Sequence, residues 1–238
     1  MYDLTKFTLA DMVRCGRELR RLGGSSMAEV ADAVVRHLYD ELRESESGRR
    51  ACVLVRLFKT EAFGALSAEL RAFARALMPS APLDAQTKCL TLLATAGDEQ
   101  AWNSPQTSKR HRAIPLPGEA ALAEVPMIAQ LLHQLGLKLS DLAQAHREII
   151  KDLDQKTFNV FHVPIARSSP FIPAQAEFVM PYGIESVLGF GGVLPEGNLY
   201  AVILFARVTI PSATAAMFRT IALNVKMALL GSVEARAR

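Results

Sequence analysis

The apolar positions of this chain change period along its length, from helical spacing at the start to unbroken β-rich runs further on. Over residues 1–22, Leu9, Met12, Val13, Gly16 and Leu19 fall at helical spacing with arginines on the other faces. That predicts an amphipathic helix, which Gly23-Gly24 stops. Ser26 and Glu29 have the spacing of a capping box, in which each side chain satisfies a backbone N–H near the other. Met27, Val30, Ala31, Val34, Val35, Leu38, Tyr39 and Leu42 then follow the one-face template of a second helix. His37 stands beside this stripe and reads as a boundary histidine.

The strands come next. Ala51 to Phe58 is the first, left by Lys59-Thr60, and Lys88 to Thr95 is the second. Between them Ser67 caps a short helix through Leu70, Phe73, Ala74 and Leu77, ended by Pro79 and Pro82. Ala113 to Pro117 is an edge strand at most, because proline cannot donate to a ladder. Pro126 leads a helix over Met127, Ile128, Leu131, Leu132 and Leu135, with Gly136 as a cap beyond its end. A further helical stretch runs from Ser140 to Leu153 and carries His146. Phe158 to Val163 reads as a strand or extended segment closed by Pro164. Two β-branched runs, Gly183 to Leu194 and Leu199 to Val208, flank Pro195-Glu196-Gly197-Asn198 and predict a hairpin. A helix follows from Ser212.

Composition narrows the class. Half of the 238 residues are hydrophobic and 21% are charged, the balance of a folded protein. A net charge of +3 is too small to argue for nucleic acid. The first residues lack the apolar core of a signal peptide, and the longest apolar run, Leu199 to Ala206, is too short to span a bilayer. A cytoplasmic protein without a membrane partner is the expectation. No linker separates two cores, so residues 1–238 read as one domain. Its parts are N-terminal helices over 1–42, a sheet core with inserted helices and loops over 51–209, and a C-terminal helix over 212–230.

The usual catalytic signatures are missing: no P-loop, no G-x-S-x-G, no H-E-x-x-H and no C-x-x-C. Gly189-Phe190-Gly191-Gly192 lies inside a hairpin arm, which points to close packing or a bulge and not to a dinucleotide. The five histidines show no ligand spacing, so no metal site is expected. Cys15, Cys52 and Cys89 are an odd, widely spaced set, which argues against a disulfide framework. Cys52 and Cys89 lie in two strands that could be neighbours. They read as small core residues, with a redox pair as the sharper alternative. Arg56 interrupts an apolar run, and a solvent-facing position is preferred over a ligand contact. The long loop from Gly97 to Arg112 holds Trp102, the sole tryptophan, and the cluster Lys109 to Arg112. Those cations suit an anion or nucleotide, and equally a solvated loop. Arg167 to Tyr182, dense in proline and aromatics, suits a rigid loop packed over a core. His162 reads as a core histidine satisfied by hydrogen bonds, with ligand contact as the alternative.

Gly183-Ile184-Glu185-Ser186-Val187 through Gly197-Asn198-Leu199-Tyr200 to Phe205 resembles the closing hairpin of GAF domains of bacterial signalling proteins. The chain as a whole is similar to the GAF-like input region found before histidine kinases. Phe158 to His162, and Ile172-Pro173-Ala174-Gln175 through Gly192, carry that closer likeness. No bilin-attachment motif and no cyclic-nucleotide signature is evident. The resemblance implies an α+β fold: an antiparallel sheet with helices from both termini on one face and a small-molecule pocket under the loops of the other. It implies a non-catalytic sensory domain of bacterial two-component signalling, its ligand and any cofactor unidentified.

On that reading the pocket lies under the Trp102–Arg112 loop and the Phe171–Tyr182 segment. Its candidate ligand contacts are Trp102, Arg112, His162 and Tyr182. In the last helix Phe218, Ile221, Ala222, Val225 and Leu229 form one stripe, while Met217, Leu223, Met227 and Leu230 lie largely off it. One stripe covers the sheet, and the surplus needs a further partner: the N-terminal helix of the same chain could supply it, and so could a second subunit, so that a homodimer through the terminal helices is the expectation. Gly231 to Arg238 is too short for a kinase or cyclase, which predicts a separate output protein, or a chain that is a fragment or a single-domain relative. The alternatives are a thiol or redox enzyme using Cys52 or Cys89 on the same scaffold, and a dimerisation module with no ligand.

Overall fold

The computed structural model describes residues 1–109, 111–118, 125–134 and 160–234. At the start, β1 (Tyr2–Asp3) pairs in parallel with β2 (Leu42–Arg43), and between them lie α1 (Leu9–Arg20) and α2 (Met27–Glu41). A second sheet follows, made of β3 (Cys52–Ala62), β4 (Lys88–Gly97), β5 (Ala113–Pro115), β6 (Val160–Val163), β7 (Ser186–Val193) and β8 (Leu199–Ala206). Its six strands run antiparallel in the order β5-β4-β3-β8-β7-β6. Among the described residues the further α-helices are α3 (Ala68–Leu77), α4 (Pro126–Gln134) and α5 (Ser212–Glu234). This is the α+β class that the sequence implies.

The sheet divides the interior in two, and strand periodicity decides which residue goes where. On β8, Tyr200, Val202, Leu204 and Ala206 face a core shared with α1, α2 and α5. The alternate residues Leu199, Ala201, Ile203 and Phe205 face a second core with α4 and the 172–182 segment. Both sides of β7 and β8 are buried along their whole length, so the strands read as continuous apolar runs. In the helix-side core Phe218 of α5 lies between Phe7 and Phe190, with ring centroids 5.5 and 5.3 Å away. Burying such a ring is worth about 2–3 kcal/mol. The hydroxyl of buried Tyr200 donates to the Ala222 carbonyl at 2.6 Å and ties β8 to α5.

Several local expectations change. Residues 1–22 are not one helix: α1 starts at Leu9, after Thr8, whose side chain forms a reciprocal capping box with Asp11. Leu9 and Val13 are exposed, and the buried positions of α1 are Cys15, Gly16 and Leu19. Ser26 does cap α2, accepting from the Glu29 N–H, but the Glu29 carboxylate goes to the backbone and hydroxyl of Ser25. β3 runs on to Ala62 and β4 to Gly97, because each has a long partner to pair with. The sheet has two irregularities: β4 carries an extra residue, Leu93, opposite Leu57/Phe58, and β3 carries one, Val53, between Cys52 and Leu54 against β8.

The glycines of β7 sit in unbroken register, so close packing is their role. A Cβ on Gly191 would fall 2.1 Å from the Tyr200 carbonyl oxygen, and one on Gly189 would crowd Leu131 and Phe161. The β7–β8 turn needs glycine for a different reason. Gly197 has φ +83 and donates its N–H to Leu194 O, closing a three-residue loop with the left-handed residue last.

α5 is long and apolar enough, by length and composition, to cross a bilayer over Ser212–Gly231, and half of that window is buried in the protein. Phe218, Ile221, Ala222, Val225 and Leu229 are covered by the sheet and by α1 and α2, which is the environment of a core helix. Of the surplus apolar positions, Met217 and Leu230 pack partly against that core, while Leu223 and Met227 are exposed. The Ser140–Leu153 helix, Leu135, Gly136, Phe158 and Arg110 fall outside the described residues.

Candidate functional site

On the face of the sheet away from α1, α2 and α5 there is a cavity of about 460 Å³. Its floor is Leu54, Arg56 and Phe58 of β3 with Ile203 and Phe205 of β8 and Ile114 of β5. Its walls are Glu99, Ala101 and Trp102, then Lys109 and His111, the first residues of α4, and the 172–182 segment. A second hollow of about 670 Å³ adjoins it along α3 and shares Lys109, His111, Pro173, Ala174 and Glu177 with it.

Local chemistry holds these walls. A 3-10 turn, Gln100–Trp102, projects Trp102. Asn103 fixes the turn: its Oδ1 accepts from Gly97 N–H at 3.1 Å, and its Nδ2 donates to the Gly97 and Glu99 carbonyls at 3.0 Å. Gly97 leaves room for this, since a Cβ there would meet Leu54, Trp102 and the Val53 carbonyl at about 3 Å. Across the cavity, Gln175 gathers its own segment, donating to the carbonyls of Ala166 and Ile172 and accepting from Ser168 N–H. A single wide turn, Gln175–Val179, follows and presents Phe178. His111, at the rim, holds φ 59, a left-handed conformation that costs a non-glycine residue about 1–2 kcal/mol.

The result is an aromatic wall. The Trp102 ring lies 4.6 Å from Tyr182 and 5.6 Å from Phe178, and Phe178 meets Phe205 edge-on at 5.0 Å. Burial raises the Tyr182 hydroxyl above its usual range, and the nearby Glu99 carboxylate adds to the effect. Arg56 stands in the floor. It is 8% exposed, and its Nη2 donates to buried Ser108 Oγ at 3.0 Å. Burial lowers its guanidinium to about 10, so it stays charged at neutral pH. Across β4 from it Thr95 is fully buried, and Thr95 Oγ1 has no hydrogen-bond partner among the described residues.

Trp102 and Tyr182 therefore meet in the cavity wall, and two of the four sequence candidates do not join them. The Arg112 guanidinium turns away to α3, where Nη1 donates to Glu69 Oε1 at 2.6 Å. His162 is on the wrong face of the sheet: it pairs with Leu188, which belongs to the helix-side core, and its Nε2 lies 3.0 Å from the Ile210 carbonyl. Burial lowers its pKa, as expected for a neutral structural histidine. Arg56 is the converse correction. A lone arginine in a strand was expected in solvent, yet the alternation that buries Leu54 and Phe58 on the cavity side carries Arg56 with them. Phe178 and Phe205 were also missed, since neither stands out from the apolar runs around it.

The thiols lie apart from this site. All three are buried, and burial pushes Cys15 and Cys52 up to about 12 and Cys89 to about 11. Cys89 pairs with Glu61, nine positions along β3 from Cys52, a separation on the order of 30 Å. They are on neighbouring strands but cannot form a redox pair. Among the described residues no group of three His, Cys, Asp or Glu side chains could hold a metal ion.

No protein-family model matches the chain. No curated protein matches it either. Among solved structures, it is similar to a bacteriophytochrome from the photosynthetic bacterium R. palustris, at 8% identity and a TM-score of 0.46. That match covers 97% of this chain and spans 40% of the phytochrome chain.

Proposed function

We propose that this protein is a non-catalytic sensory domain that takes a small molecule into the cavity and passes the change to its terminal helices. One observation carries the reading: an apolar, aromatic-walled cavity of about 460 Å³ with a buried arginine in its floor. That is the size and character of small-molecule sites, which run to roughly 300–1,000 Å³ with few polar groups. The floor strand β8 gives a route outward. Ile203 and Phe205 face the cavity, while Tyr200, Val202 and Leu204 on the same strand face α5 and its neighbours. A ligand that shifts β8 must then repack the helix layer, which is how a local contact biases a packed element.

The raised, buried thiols favour this reading over a thiol enzyme, which needs an accessible cysteine with a lowered pKa. The setting we propose is bacterial two-component signalling in the cytoplasm, with a homodimer formed through the terminal helices and a separate output protein.

The test is native mass spectrometry of freshly purified protein, followed by ligand screening on Trp102 emission. Trp102 is the sole tryptophan and lies in the wall, so its emission reports occupancy directly. Retained mass, or an emission change with a library compound, supports the reading. An empty protein whose emission no compound moves would overturn it and favour a ligand-free dimerisation module.

A further inference from the structure

We propose that a second copy of this chain packs on α5 with its own α5 reversed, so that the two helices lie antiparallel and a two-fold axis crosses them between Ile221 and Ala222. The inference rests on the homodimer named above and assigns its axis.

The argument starts from the outer face of α5. It carries Ala213, Ala216, Thr220, Leu223, Met227 and Leu230, at steps that alternate three and four residues, the spacing of a seam between packed helices. None of the six is charged, the first five are exposed and Leu230 is half-buried. They are sorted by size along the helix: the three small side chains come first and the three large ones last. A face small in one half and large in the other is complementary to its own reverse. About the proposed axis Ala213 faces the partner's Leu230, Ala216 faces the partner's Met227, and Thr220 faces the partner's Leu223. Every facing pair then joins one large and one small side chain, the condition for interdigitation at core density. Pairing the two α5 helices in the same direction sets alanine on alanine at one end and Leu223 and Met227 on their own copies at the other. That leaves a gap in one half and crowds the other, and both are unfavourable.

The neighbouring elements accept the same axis. Phe7 lies by Phe218 and Gly16 of α1 by Asn224, so α1 ascends alongside α5. Val13, three residues before Gly16, then stands level with Ile221. Its side chain is 50% exposed and meets the partner's Val13 across the axis. The axis also falls where the sheet holds α5, since the Tyr200 hydroxyl of β8 donates to the Ala222 carbonyl at 2.6 Å. A displacement of β8 in one copy is therefore delivered at the midpoint of the seam, where the partner's α5 is in contact, and the two copies are coupled there.

Disulfide trapping reads the axis directly. Ala216→Cys and Met227→Cys are made as separate full-length chains, mixed, oxidised with diamide, and the linked species identified by intact mass. The chain's own cysteines are buried, and the unaltered protein sets the background. The expected result is a linked dimer holding one chain of each variant, and no linked dimer from either variant alone. About the proposed axis two copies of Cys at 216, or two at 227, are about 16 Å apart along the helices, beyond the roughly 7 Å that a disulfide spans. Ala213→Cys and Leu230→Cys, another facing pair, replace any variant that does not fold. Linkage of Ala216→Cys or Met227→Cys to itself overturns the antiparallel axis and leaves the homodimer standing. A dimeric mass with no linkage in the mixture overturns it as well. A monomeric mass for the unaltered protein before oxidation removes the homodimer and this axis with it, and leaves the small-molecule reading of the cavity untouched.

Discussion

Tyr39 donates its hydroxyl to Asp98 Oδ1 at 2.5 Å, joining helix α2 to the residue next to the cavity's Glu99. Asp98 also takes the Arg207 guanidinium, just past the end of β8, and its N–H donates to the Val53 carbonyl. Arg50 covers the Tyr39 ring at 4.7 Å. One carboxylate thus reaches the helix layer, and the next, Glu99, lines the cavity near Tyr182. Tyr39→Phe should lower stability by about 1 kcal/mol, the net worth of one hydrogen bond. Asp98→Ala should cost about 2–3 kcal/mol, since it strands a largely buried hydroxyl and a guanidinium together. Urea melts of the singles and the double test the link. A coupling energy above roughly 0.5 kcal/mol is expected, and simple additivity would mean the pair is not connected.

Gly191 is a packing requirement and Gly231 is not. A Cβ at Gly191 would fall 2.1 Å from a backbone oxygen of the next strand, which cannot move without breaking the β7–β8 register. Gly191→Ala should destabilise by about 3 kcal/mol or more, or give no folded protein. A Cβ at Gly231, inside α5, meets nothing within 4 Å. Gly231→Ala should raise stability by about 0.5–1 kcal/mol through helix propensity. Thermal melts showing both variants equal would contradict this account of the two sites.

The elements were legible where local chemistry decides them. Ser26, Ser67 and Pro126 start their helices as read, and the hairpin around Pro195–Asn198 is where its turn residues put it. The site was half legible, for a reason of parity. Loop residues with unusual side chains, Trp102 and Tyr182, stand out in a sequence and do line the cavity. Strand residues depend on which side of the sheet they fall. Strand pairing sends His162 to the helix side and Arg56 to the cavity side, and no local signal in either strand says which face a loop will cover. The bulge at Cys52/Leu54 makes simple counting along β3 less certain still. Arg112 is two residues from Ile114 in the floor, and Glu69, distant in sequence, draws its side chain away.

The thiols predict a loss of stability in alkali. Burial holds Cys15 and Cys52 up to about 12 and Cys89 to about 11, against about 8.5 for a free thiol. Above pH 8.5 the unfolded chain releases these protons and the native protein keeps them. The unfolded state then binds fewer protons, and stability falls as pH rises, by about 1.4 kcal/mol per pH unit for each thiol. Arg56 acts in the opposite sense, but only above about pH 10, where burial lets it lose its charge. Urea midpoints should be level near neutrality and fall between pH 9 and about pH 11. In parallel, the three thiols should resist a thiol reagent at pH 8 and react together on denaturation. A cysteine that reacts fast in the native protein would revive the redox enzyme as a reading.

Helices α1 and α5 carry the last prediction. They pack on each other with Gly16 against Asn224, and the Phe7 ring just before α1 is 5.5 Å from Phe218. The two near-contacts ascend together in sequence, so the helices run side by side in one direction. Leu9 and Val13 of α1 are 65% and 50% exposed, and Leu223 and Met227 of α5 are 47% and 46% exposed. Four large apolar side chains on two touching helices are more than scattered exposure explains. A second copy meeting this surface about a two-fold axis would cover both pairs at once. Light scattering at micromolar concentration should therefore give twice the chain mass. Leu223→Glu with Met227→Glu should give the monomer with little change in the thermal melt, because neither side chain is part of the core. A monomeric mass for the unaltered protein would sink the dimer.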